Sequence, residues 1–173
     1  MKLCLLTAAV MTAATGATAQ HAAHGGSNVE AGQAQFAAIA EIVTMLRNEP
    51  ETDWDQVDIA ALREHLVDMD NVTTRAAVAT TVDDLRVTFA ITGDATVAAS
   101  AQRMVLAHGP MLQQATGWSV MAQATPDGAT MRVDSGAAEE MAEVTGLGFF
   151  GVMTIGAHHQ QHHIMIATGQ SPH

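Results

Sequence analysis

The segment Gly156-Ala157-His158-His159-Gln160-Gln161-His162-His163 puts four histidines within six residues. Imidazole ligates first-row transition metals and titrates near neutral pH, so such a cluster points to metal binding or to a response to protons. His158 and His162 are four residues apart, as are His159 and His163. On a helix each pair shares a face and can hold one ion through two ring nitrogens, and the two pairs diverge by about 100° around the axis. The apolar series Met141, Val144, Gly148, Val152 and Ile155, continued in steps of three or four, arrives at His159, His163 and Ile166. This predicts an inward pair, His159 and His163, and a more exposed pair, His158 and His162.

Two other internal histidines have soft neighbours. His65 is followed by Asp68 and Met69 at helical spacing, and His108 lies between Met104 and Met111. A methionine stripe on a helix is ordinary packing, but thioether sulfur beside imidazole is also a ligand set for soft metal. If the helices carrying His65, His108 and the histidine tract converge, they form a mostly imidazole site with Met69, Met104 and Met111 as supporting ligands. Copper is the first expectation for such a site and zinc the second. Non-covalent haem, held by His108 or a histidine of the tract, is a third. His21, His24 and His173 are terminal and are not counted as site residues.

Several other chemistries are absent from the sequence. His159 stands where the general base of a His-Glu-x-x-His peptidase would be a glutamate. The glycines at 146, 148, 151 and 156 punctuate an apolar run and are not followed by Gly-Lys-Ser/Thr, which reads as close helix packing and not a phosphate loop. The acidic stretch Glu49 to Asp58 lacks the glycine and terminal glutamate of a calcium loop and reads as a solvated link. There is no Cys-x-x-Cys-His and no Gly-x-Ser-x-Gly.

The N-terminus reads as an export signal: Lys2, a short apolar run from Leu3 to Val10, then Ala17-Thr18-Ala19. Residues 1–19 are therefore expected to be cleaved, giving a periplasmic or secreted protein. Cleavage removes the only cysteine, Cys4, and leaves six arginines against 18 acids, a net charge of −12. Without a thiol, soft ligation falls to methionine and histidine. So acidic a chain, with no basic face, is a poor partner for nucleic acid or anionic membranes. Val144 to Gln170 contains no charged side chain, but the six His and Gln residues 158–163 at its centre make a stable membrane span costly.

The elements that must position these residues follow from periodicity. The chain is 48% hydrophobic and 14% charged, enough for a core, and with 3% aromatics that core falls to Ala, Val, Leu, Ile and Met. Residues 20–28 read as a flexible mature tail and 29–170 as one α+β domain. Val29 to Arg47 carries a helical stripe, and a second helix capped by Asp58 runs to about Asn71, forming a helical hairpin with the first. Arg75–Thr81 and Leu85–Thr92 read as a β-hairpin, followed by a helix from Asp94 that Gly109-Pro110 should kink or divide. Trp118–Ala124 and Ala129–Asp134 flank Thr125-Pro126-Asp127-Gly128, a strong turn signal, and lead into one long helix from Ala137 to Ala167. Two successive strand-strand-helix units (75–117 and 118–168) suggest an internal repeat and a four-stranded antiparallel sheet with helices packed on it.

The functional expectation is an exported metal-binding protein, most simply a copper carrier, buffer or delivery factor with a metal ion and a metal-accepting protein as partners. A His-ligated metalloenzyme with an open coordination position, using Asp68 or Glu140 as an acid/base group, is an alternative but less favoured than a non-enzyme. A pH-responsive interaction domain that binds nothing is the other.

Overall fold

The structure, a computed structural model, describes residues 33–156 and 159–170. The expected leader, the tail 20–28, His158 and His173 lie outside the described residues. Helix α1 (Gln33–Asn48) buries Ile42 and Leu46 and stops before Pro50. After a short 3-10 turn at Trp54–Gln56, α2 (Ile59–Arg75) begins where Asp58 accepts a hydrogen bond from the Ala61 amide at 2.9 Å. This helix runs a full turn beyond Asn71. The Arg75 guanidinium supports the extra turn, donating to Asn71 Oδ1 at 2.8 Å and to Asp94 at 2.5 Å.

Strands β1 (Ala77–Asp83) and β2 (Arg86–Thr92) form the first hairpin. Helix α3 (Ala95–Thr116) starts at Asp94, whose carboxylate accepts from the Thr96 and Val97 amides at 3.0 Å each. The expected division at Gly109-Pro110 does not occur, and α3 is continuous. Pro110 is exposed and the carbonyl it cannot bond belongs to Leu106, 44% exposed, so water can take the missing donor's place. Strands β3 (Ser119–Thr125) and β4 (Gly128–Asp134) turn at Pro126-Asp127, as the turn signal predicts.

The result is an α+β fold. The sheet order is β1-β2-β4-β3 with every neighbour antiparallel, so the two hairpins meet through their second strands. Val87, Phe89 and Ile91 of β2 and Ala129, Met131 and Val133 of β4 alternate onto one buried face, as period-two strands must. Helix α3 covers that face over β3 and β4, and α4 (Ala138–Val152) covers it over β2 and β1. A second apolar cluster joins Ile42 and Leu46 of α1, Leu62 and Leu66 of α2, and Ala167 of α5 (His159–Ala167). Helix α2 bridges the two clusters, contributing Val72 to the sheet core. Among the described residues no helix is long and apolar enough to cross a membrane.

The single long helix expected over 137–167 is broken twice. Gly148 adopts φ 60°, ψ −174° inside α4, and Gly156 adopts φ 73° between α4 and α5. A Cβ on Gly156 would lie 3.0 Å from the Ala115 Cβ and 3.2 Å from the Met111 carbonyl oxygen. Glycine there lets the chain turn in a left-handed conformation against α3 and carry α5 back onto α1 and α2. Helical phase counted from Met141 is therefore lost before the histidine tract.

Candidate functional site

Four helices bring soft donors to one cavity of about 120 Å³ at the seam between the two apolar clusters. Helix α2 supplies His65 and Met69, one turn apart. Helix α3 supplies Met104, His108 and Met111, and α5 supplies His162. Phe149 and Phe150 of α4, with Met153 and Thr154 just beyond it, close the remaining side. No acidic or basic side chain lines this cavity. Six of the nine residues singled out from the sequence thus share one space. His163 is buried at 7% exposure and packs behind it, while His158 and the side chain of His159 lie outside the described residues.

The imidazoles are close neighbours. The ring centroids of His65 and His162 are 4.8 Å apart, those of His65 and His163 5.6 Å, and those of His162 and His163 6.1 Å. Of the pair expected to face inward, His163 does so. His162 is half-buried and reaches the cavity wall, a position that straight helical phase did not predict. Among the described residues, no group of three or more His, Cys, Asp or Glu side chains could hold a metal ion, so the convergence in this cavity is one of imidazole with thioether.

His108 has a defined orientation. Its ring is 6% exposed, and Nε2 lies 3.2 Å from the carbonyl oxygen of Val152 at the end of α4. A carbonyl only accepts, so Nε2 carries the proton and, in the neutral ring, Nδ1 is the atom with a lone pair. A backbone carbonyl holding one ring nitrogen while the other is left as the donor atom to metal is the usual second partner of a ligating histidine. The carbonyl is available because the last turn of a helix leaves such groups without intrahelical partners.

A polar chain fixes α2 against α3 beside the cavity. Arg103 donates to both Asp68 oxygens, at 2.7 and 2.6 Å, and Ser100 donates to Asp68 at 2.7 Å. Asn71 donates to Ser100 at 3.1 Å and accepts from Arg75, which continues to Asp94. Burial raises the Asp68 pKa, but hydrogen bonds from Arg103 and Ser100 and the Arg103 charge, with a smaller contribution from His65, bring it below the ordinary carboxylate value. The network therefore sets His65 and Met69 opposite Met104 and His108. Asp68 lines a neighbouring groove of about 820 Å³ that shares His65, Met104 and Ala107 with the cavity. Glu140 accepts from the Gly136 amide at 2.7 Å and does not line the cavity.

Sequence reasoning missed Met153, Phe149 and Phe150. All three sit in the apolar run after Gly148, where methionine and phenylalanine read as core. The sequence offers no signal that distinguishes a wall residue from a filling one there. Comparison of the chain with protein-family models, curated proteins and solved structures finds no match.

Proposed function

We propose that the protein is an exported metal-handling factor that binds copper in the cavity between α2, α3, α4 and α5 and passes it on without chemical conversion. The observation that carries this reading is the meeting of three imidazoles and four thioethers, drawn from across the sequence, at one small space without ionised side chains. Imidazole serves copper, zinc, nickel and iron, whereas thioether shifts the preference to copper. The cavity is well below the ~300–1,000 Å³ of organic-ligand sites, which favours an ion over haem. Half-burial of His65, Met69, Met104, Met111, Met153 and His162 suits an ion that must enter and leave. Export is supported by residues 1–19, and a metal-accepting protein is the natural partner of a carrier.

The test is calorimetric titration of the purified chain with copper, beside the variant His65→Ala/His108→Ala, which leaves the tract 158–163 intact. The reading expects about one tight copper per chain and its loss in the variant. Equal tight binding by the variant would place any copper on the tract, and no tight binding by the wild type would remove the function.

A further inference from the structure

We propose that the cavity selects cuprous ion over divalent metal, and that the thioethers of Met69, Met104, Met111 and Met153 determine the selection. The inference rests on the copper reading above and adds to it the oxidation state and the residues that set it.

Three features carry it. First, every donor lining the cavity is neutral: imidazole or thioether, with no carboxylate or thiolate. Removing an ion from water costs free energy that grows with the square of its charge, so a neutral, largely apolar wall penalises a dication about four times as much as a monocation. The nearest carboxylate, Asp68, is already committed to Arg103 and Ser100. Second, thioether sulfur is a soft ligand that selects Cu(I), while a divalent ion of the zinc class is served by thiolate, imidazole and carboxylate. Methionine arrives here from three separate places: Met69 on α2, Met104 and Met111 on α3, and Met153 beyond α4. Third, two aromatic rings stand in the same wall. Phe149 packs against Phe150 at 5.3 Å and against Phe89 at 6.0 Å, and a ring face attracts a cation most effectively when it is poorly hydrated.

The neutral wall also assigns the histidines a shared task. His108 Nδ1, oriented by the Val152 carbonyl, and the ring of His65 or His162 anchor the ion, and the thioethers fix which ion is accepted.

The experiment measures Cu(I) affinity anaerobically, by competition with the chromophoric chelator bicinchoninate, and Cu(II) affinity by competition with glycine. Both are compared between the wild type and Met69→Leu/Met104→Leu/Met111→Leu/Met153→Leu, a nearly volume-conserving exchange. The expected result is a loss of Cu(I) affinity of about 100-fold or more, exceeding the ~10–100-fold typical of groups that only support a ligand, with Cu(II) affinity within about threefold. Cu(I) affinity unchanged in the quadruple variant, or lost no more than Cu(II) affinity, overturns the selection while leaving copper binding standing. Absence of copper binding in the wild type removes both. Should the variant not fold, X-ray absorption of the Cu(I)-loaded wild type decides: sulfur scatterers at the copper support the inference, and a shell of nitrogen and oxygen alone refutes it.

Discussion

Replacing Asp68 by Asn tests how α2 is held over α3, and therefore how His65 and Met69 come to face Met104 and His108. The carboxylate is 8% exposed and receives two hydrogen bonds from Arg103 and one from Ser100. Asparagine keeps the shape but offers one acceptor and turns an NH2 toward other donors. Hydrogen bonds to charged groups contribute about 1.5–3 kcal/mol each. The Arg103 side chain is 62% exposed and rehydrates once released, which discounts that sum strongly. A loss of about 2 kcal/mol remains, equivalent to roughly 4–8 °C in Tm for a chain of this length. The pH dependence has a fixed sign. The folded Asp68 pKa is lowered, so the carboxylate's contribution is fully present above the unfolded value of about 3.9 and is lost as pH falls through the folded one. Urea unfolding of wild type and Asp68→Asn should therefore give curves separated by a constant amount from pH 5 to 8 that approach each other below about pH 4. Arg103→Met should cost at least as much at pH 7, because the carboxylate stays buried without its cation. A separation under about 0.5 kcal/mol, or one that persists unchanged to pH 3, would refute the reasoning.

The remaining predictions concern the turn, the core and the ion. Gly156→Ala forces a left-handed φ and a close contact with Ala115 and Met111, so it should lower stability by about 1–3 kcal/mol and weaken copper binding together, read by thermal melts and titration. Phe89→Ala, at a fully buried position against Phe149, should cost about 3–5 kcal/mol in urea unfolding without a comparable change in copper affinity per folded molecule. Copper at a hundredfold excess over its Kd should add about 2.7 kcal/mol to stability, roughly 5–11 °C in Tm, an increment that His65→Ala/His108→Ala should abolish.

Much of the fold was legible because its signals are local. Asp58 and Asp94 cap the helices that follow them, and Pro126-Asp127 joins two alternating strands, each within a few residues of its cause. The long C-terminal helix misled because Gly148 and Gly156 are tolerable inside a helical pattern, and their positive φ becomes necessary only when the chain must fold back over α3. The candidate residues were recognisable by type: His65, His108, His162 and their methionines carry the donor atoms in any fold. Their meeting is tertiary, since α2, α3 and α5 are brought together by apolar packing and by the Asp68–Arg103 pair, whose members lie 35 residues apart. Met153 was hidden for the same reason: its role depends on which side of α4 faces a space, and packing decides that.

The most direct test of the central claim is metal analysis of the protein isolated, without added metal, from the cells that make it naturally. Mass-spectrometric elemental analysis should find about one copper per chain, retained in the presence of excess zinc. Zinc in place of copper, or purified protein with no transition metal that also takes up none when copper is offered, would contradict the account.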